Sequence, residues 1–228
     1  MISEVGLTPT QRSILECLAG IRPAPTLFGG AAIIVAYTAH RQTRDLDLKW
    51  SETDDLAPLV PEVLDRLRAL GHRVDVQRRF ATFIRLLVDG PQQVVVDLVA
   101  EPAAEVAQLV SIDIDGKQWR IPSMTDALAD KLCALMSRAE LRDLGDVREL
   151  LMAGADLDAA IERAPLRDAG FSPYVLAWVL ESFPLQELAD GANLDAETLG
   201  DLATARQALQ ERLVALADLD AFGSSTET

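Results

Sequence analysis

The residues of this chain best equipped for chemistry are the glycine pair Gly29-Gly30 and the acidic pair in Asp45-Leu46-Asp47, with fourteen residues between them. The glycines open a short apolar helix, and Asp-Leu-Asp runs on through Leu48, Lys49 and Trp50 as a strand. Strand side chains alternate between faces, so Asp45 and Asp47 share one face while Leu46 and Leu48 enter the core. Two carboxylates held side by side repel unless a cation or a proton lies between them. A divalent metal answers that need, and hard oxygen ligands suit Mg²⁺ where a substrate phosphate completes the shell. A glycine turn supplies the other half of such a site. Gly29 and Gly30 permit positive φ and close approach, and the helix they open offers unpaired N–H groups to a phosphate. Without the carboxylates the same turn would be a plain strand-to-helix connection.

A third carboxylate, Asp97, lies in the run Val94-Val95-Val96-Asp97-Leu98-Val99. An ionised group among so many valines is costly unless it is paired or bound to metal. Arg85, on the neighbouring strand, is the structural alternative to a metal. Further on, Lys131 falls at the border of the apolar stripe Leu128, Leu132, Leu135 and Met136. Asp143 sits near the centre of the stripe Leu144, Val147, Leu150 and Leu151, and it needs a buried partner from Lys131, Arg138 or Arg142. Asp146 reads as facing further outward.

Taken together, these residues resemble the nucleotidyltransferase superfamily and, within it, the AbiEii/AbiGii toxin family. The glycine pair, the small-residue helix and Arg41-Gln42-Thr43-Arg44-Asp45-Leu46-Asp47 follow the family's Arg-x-Thr-x-Asp-Leu-Asp form. Lys131 followed by Arg142-Asp143-x-x-Asp146 is similar to a second family signature. The resemblance covers about residues 24–151. It implies transfer of a nucleoside monophosphate from an NTP to an acceptor hydroxyl. Mg²⁺, with Mn²⁺ as an alternative, would be held by Asp45, Asp47 and Asp97. Asp97 would also activate the attacking hydroxyl, Lys131 would neutralise the triphosphate, and Asp146 would orient the base. Gly29, Gly30, Arg41, Thr43, Lys131 and Asp143 would bind the nucleotide. Asp143 is as readily explained by an ion pair tying two helices. The acceptor implied is tRNA and the setting is toxin–antitoxin or phage defence, with a separate cognate antitoxin. Two rival functions stay open: a small-molecule transferase of the aminoglycoside-modifying kind, and a binding module without catalysis.

The elements that position these groups follow from periodicity and turn signals. Helix is expected over 8–19, strand at Thr26–Phe28, helix over 31–39, strand over 44–50 and helix over 54–70 stopped by Gly71. Strands follow at 73–78, 81–88 and 93–99, with Asp89-Gly90 turning the last two, and a further hairpin spans 112–121 through Asp115-Gly116. After Pro122 only helices are expected, over 124–139, 142–153, 156–163, 172–182 and 195–217, with a frayed tail from Phe222. Ser123 and Asp126 form a helix-capping pair. The fold class is α+β: a nucleotidyltransferase-like mixed-sheet domain over 1–122 and a helical domain over 123–228. Trp50, Trp119 and Trp178 are assigned to the core, and His40 and His72 lack the spacing of metal ligands.

Composition narrows the partners. The 228 residues carry a net charge of −15. Residues 1–148 hold 21 acidic against 17 basic side chains, and residues 149–228 hold 15 against 4. A polyanion is therefore expected to approach the N-terminal half, where Arg41, Arg44, Lys49, Arg66, Arg68, Arg73, Arg78, Arg79 and Arg85 cluster. The longest apolar stretch, Leu27 to Ala39, is too short to span a bilayer, and no secretion signal is evident. The expectation is a cytoplasmic protein with Cys17 and Cys133 reduced.

Overall fold

A computed structural model describes residues 6–101 and 108–223, with side chains described as far as residue 216. The chain divides into two compact units, Met1–Ala127 and Leu128–Thr228.

The first unit is built on a mixed seven-stranded sheet of order β3-β4-β5-β2-β1-β7-β6. Its elements are α1 (Pro9–Leu18), β1 (Thr26–Phe28), α2 (Gly29–Ala36), β2 (Asp45–Trp50), α3 (Val60–Ala69), β3 (Arg73–Arg79), β4 (Phe83–Asp89), β5 (Gln93–Ala100), β6 (Leu109–Ile114) and β7 (Lys117–Pro122). At the centre, β2 pairs parallel with β5 and antiparallel with β1. Strict alternation sorts the faces. Leu46, Leu48 and Trp50 of β2, Ile84, Leu86 and Val88 of β4, and Val94, Val96 and Leu98 of β5 are all buried in one core. Asp45, Asp47 and Lys49 point the other way and are half-buried.

The N-terminal helix α1 starts with a capping box. The Thr8 N–H donates to Gln11 Oε1 (2.8 Å), and the Gln11 N–H donates to Thr8 Oγ1 (3.2 Å). The Gln11 side chain then reaches across the unit and donates from Nε2 to the Thr43 carbonyl at 2.9 Å. Ile14, Leu15 and Leu18 anchor the same helix in the core. The segment that leads into β2 is thus tied to a rigid helix.

The helix expected over 54–70 begins only at Val60. Pro58 disfavours helical backbone at Ala57, and the Leu56 N–H donates instead to the Ala81 carbonyl at 2.8 Å. Leu56 and Leu59 are buried all the same. The helix expected over 31–39 starts two residues earlier, at Gly29, and ends at Ala36. The next residue, Tyr37, donates its hydroxyl to the Pro122 carbonyl at 2.6 Å.

Helix α4 (Met124–Arg138) runs from the first unit into the second, which continues with α5 (Leu141–Met152), α6 (Leu157–Arg167), α7 (Pro173–Glu181), α8 (Leu185–Ala192) and α9 (Ala196–Gly223). Ser123 Oγ accepts from the Asp126 N–H at 3.2 Å, as the capping pair predicts. Of the frayed tail expected from Phe222, residues 222 and 223 belong to α9 and 224–228 lie outside the described residues. Trp178 is 64% exposed, which corrects its assignment to the core, whereas Trp50 and Trp119 are buried. Among the described residues, no helix is long and apolar enough to cross a membrane. Both cysteines are free. Burial pushes the Cys17 thiol up to about 11 and the Cys133 thiol up to about 12, so neither supplies a thiolate at neutral pH.

Candidate active site

The glycine turn and the acidic strand meet where β1 ends. Phe28, the last residue of β1, lies opposite Asp47 in the β1–β2 register, so α2 starts beside that carboxylate. Gly29 has φ +65°, and a Cβ there would stand 2.2 Å from Asp47 Oδ2. Only glycine satisfies both the backbone and the space. A Cβ on Gly30 would stand 2.6 Å from Arg41 Nη2 and 3.6 Å from Thr43 Oγ1. Gly29, Gly30, Arg41, Thr43, Asp45 and Asp47 are therefore gathered at one place. Phe28, at the N-cap of α2, makes no side-chain cap hydrogen bond to the first turn. Thr43 braces the start of β2, its Oγ1 lying 3.4 Å from both the N and the O of Asp45.

The Gly29→Ala variant is expected to cut turnover about a hundredfold. The alanine must either leave the left-handed region or push Asp47 aside, and a shift of about 1 Å at a reacting group costs that much. Transfer rates of the folded variant, beside its melting temperature, check this; wild-type turnover would refute it.

Asp97 sits directly opposite Asp47 in the parallel β2–β5 register, and Arg85 sits opposite Asp97 on β4. Arg85 grips the carboxylate with both arms, Nε to Oδ1 at 2.8 Å and Nη2 to Oδ2 at 2.6 Å. Those hydrogen bonds push the guanidinium above its ordinary pKa, and the charges of Asp97, Asp45 and Asp47 add to the shift against the opposing effect of desolvation. The ion pair that the sequence allowed is thus formed. Among the described residues, no group of three or more His, Cys, Asp or Glu side chains is placed to hold a metal ion. Asp45 and Asp47 are the two carboxylates that share the open face of β2. Two hard carboxylates fit Mg²⁺ when substrate phosphate and water fill the remaining positions.

The second unit holds its own charged cluster. Lys131 Nζ lies 2.9 Å from Asp143 Oδ1 and 2.7 Å from Asp146 Oδ2. Arg138 closes on Asp143 from the end of α4, Nε to Oδ2 at 2.7 Å and Nη2 to Oδ1 at 2.8 Å. Asp143 and Asp146 are fully buried. The outward position expected for Asp146 is therefore wrong: on α5 it follows Asp143 by one turn, and Lys131 on α4 draws both carboxylates inward. Arg142 pairs with Glu140 at 2.5 Å. Burial alone would raise the Asp143 pKa, but the Arg138 hydrogen bonds and the Lys131 charge outweigh it and hold the carboxyl below its ordinary value.

A carboxyl whose folded pKa is depressed adds stability that is present above the unfolded value, about 3.9, and is lost as pH falls through the folded value. Below about pH 4 the urea midpoint of the wild-type protein should therefore fall more steeply than that of Asp143→Asn. Parallel pH profiles for the two proteins would contradict this.

Of the remaining residues singled out in the sequence, His40 Nδ1 is bonded to Thr38 Oγ1 at 2.8 Å. The contact that pattern reading missed is Gln11 to the Thr43 carbonyl. Its one trace in the sequence is Thr8-Pro9-Thr10-Gln11, a capping box whose glutamine has a second bond to give.

Residues 14–223 match the family described as "Nucleotidyl transferase AbiEii toxin, Type IV TA system". Similar solved structures include one from H. pylori assigned as a nucleotidyltransferase (TM-score 0.53, 20% identity, covering 91% of this chain and 94% of that one). JHP933 from Helicobacter pylori has a TM-score of 0.52 and 21% identity, over 94% and 95% of the two chains. MenT4, a nucleotidyltransferase toxin of Mycobacterium tuberculosis H37Rv, has a TM-score of 0.51 and 17% identity, over 90% of each. At such identities the likeness speaks for the fold. No curated protein matches the sequence.

Proposed function

The chain belongs to the AbiEii nucleotidyl transferase toxin family, and from that premise we propose that it moves a nucleoside monophosphate from an NTP onto the hydroxyl of a tRNA in the cytoplasm, as the toxin of a pair with a separate antitoxin. The acceptor oxygen attacks the α-phosphorus, the bond to the bridging β-oxygen breaks, and pyrophosphate leaves. Asp45 and Asp47 would hold the divalent ion, which when bound spreads the charge that develops on the phosphoryl oxygens. The first-turn N–H groups of α2, together with Arg41 and Thr43, receive phosphate oxygens. Asp97 keeps lone pairs beyond those that Arg85 uses, and it takes the proton of the attacking hydroxyl. Lys131, set by Asp143 and Asp146, is assigned to the triphosphate charge.

The observation that carries this reading is the packing of the Asp47 carboxylate against Gly29. A glycine turn that could receive phosphate and a carboxylate that could hold a metal lie at one point, which supports the reading. A second reading, transfer to a cationic small molecule, is favoured by the acidity of residues 149–228, whose 15 acidic side chains face 4 basic ones. Incubation of the protein and Mg²⁺ with labelled NTPs, offering total tRNA or an aminoglycoside, separates the two. Label on tRNA is the expected result; label on the antibiotic alone would overturn it.

A further inference from the structure

The sheet face that bears Asp45 and Asp47 extends beyond them to an exposed basic edge. Strand register draws a straight row across five strands: Arg78 on β3 lies opposite Arg85 on β4, Arg85 opposite Asp97, Asp97 opposite Asp47, and Asp47 opposite Phe28. Three strand spacings separate Arg78 from Asp47, about 14 Å.

A β-bulge creates the first step of that row. The β3–β4 register runs evenly from Arg73 to Val76 and then shifts, so that Arg78 rather than Gln77 pairs with Arg85. Bulges re-aim side chains beside functional sites. Here the re-aiming sets two guanidinium groups on directly opposed positions, a placement that by itself costs stability. Among the described residues neither Arg78 nor Arg79 makes an ion pair, although the chain holds 36 acidic side chains against 21 basic ones. Arg73, at the other end of the strand, is paired with Asp75 at 2.9 Å. Among the described residues of β3, the arginines without an ion pair are thus those at the end nearest the row.

Aromatic side chains sit among these cations. Phe80 follows β3 directly and is 64% exposed. Its N–H donates to the Phe83 carbonyl at 2.8 Å, which holds the hairpin tip in place. The Arg85 guanidinium lies 5.7 Å from the Phe83 ring centre, and Lys49 Nζ lies 4.9 Å from that of Phe28. Exposed aromatics beside backbone-tracking cations form a platform for unstacked bases.

We propose that the β3–β4 hairpin holds the single-stranded end of a polynucleotide acceptor. Arg78 binds a phosphate on the face of the row, Arg79 binds the next from the other face of this edge strand, opposite Ile84, Phe80 stacks on one base, and the row through Arg85 leads the terminal hydroxyl to Asp47. The assignment rests on the nucleotidyl-transfer reading for its direction, but its binding step needs no catalysis.

Fluorescence anisotropy with a labelled single-stranded RNA of about ten nucleotides, in the absence of NTP, tests it. Arg78→Glu/Arg79→Glu and Phe80→Ala should each weaken binding about tenfold. The milder Arg78→Gln/Arg79→Gln should lower the slope of log affinity against log salt by about 1.4, the value for two lost phosphate contacts. Arg73→Glu, on the same strand but away from the row, should leave affinity within twofold, and an RNA duplex of equal length should bind several-fold more weakly. Equal binding by wild type and both Arg78/Arg79 variants, or an equal loss in Arg73→Glu, overturns the proposal. If RNA binding follows the predicted pattern but no nucleotide is transferred to any acceptor, the surface stands and the transfer chemistry falls.

Discussion

Asp47→Asn is expected to lower nucleotide transfer at least about a thousandfold while leaving the unfolding free energy within about 1 kcal/mol of the parent. The two halves of that expectation come from the same geometry. Asp47 is half-buried on the open face of β2, against Gly29 and opposite Asp97. Asparagine keeps the shape and the hydrogen-bonding oxygen but gives up the charge that would hold a cation. Asp47 is only half-buried on that face, where an isosteric amide keeps the packing against Gly29, so the substitution costs the fold little. Transfer assays beside chemical unfolding in chelator decide the matter. A variant that loses activity only because it unfolds would refute the assignment, as would one that keeps even a tenth of the wild-type rate.

The second large effect belongs to the buried cluster. Lys131→Met should destabilise the protein by about 3–5 kcal/mol, the usual cost of removing one partner from a buried ion pair. Lys131 Nζ is within 2.9 Å of Asp143 and 2.7 Å of Asp146, and both acids are fully buried. Methionine fills the volume of the lysine stem but takes from both Asp143 and Asp146 the ammonium that each of them accepts from. Adding Asp146→Asn to Lys131→Met should recover part of the loss, since one of the stranded charges goes with it. Urea unfolding of the two single variants and the double variant measures this. A loss below about 1 kcal/mol for Lys131→Met would mean that the cluster is dispensable to the fold.

The site was legible in the sequence where it depends on local repeats. Alternation in Asp45-Leu46-Asp47-Leu48 needs no tertiary information, and a glycine pair before a small-residue helix announces its own turn. Arg85 was legible as a candidate partner of Asp97 because a hairpin near Asp89-Gly90 makes their strands neighbours, but the register was not, since the strands close with Asp89 opposite Gln93. Asp146 was not. Its burial depends on Lys131, fifteen residues away on another helix, and α5 alone gives no sign of it. The start of α3 failed for a similar reason: the apolar spacing over 54–70 is helical, but the Leu56 N–H is claimed by Ala81 across the unit. The bulge after Val76 carries no glycine or proline to mark it, so the strand reads as regular, with Gln77 rather than Arg78 opposite Arg85. Helix α8 is absent from the expected helices, and its left-handed cap at Asn193 has φ +53° without a glycine to mark it. Trp178 shows the limit of composition, since an aromatic on an apolar helix is usually covered and this one is exposed.

The central claim is nucleotidyl transfer governed by Asp45 and Asp47, and the position of the label tests it most directly. Wild-type protein with Mg²⁺ and tRNA is given NTP labelled either at the α- or at the γ-phosphate. The account predicts that the α-label becomes attached to the acceptor, that the γ-label appears as pyrophosphate, and that both signals vanish in Asp47→Asn. Attachment of the γ-label, which would mean phosphoryl transfer, or an undiminished signal in Asp47→Asn would contradict it.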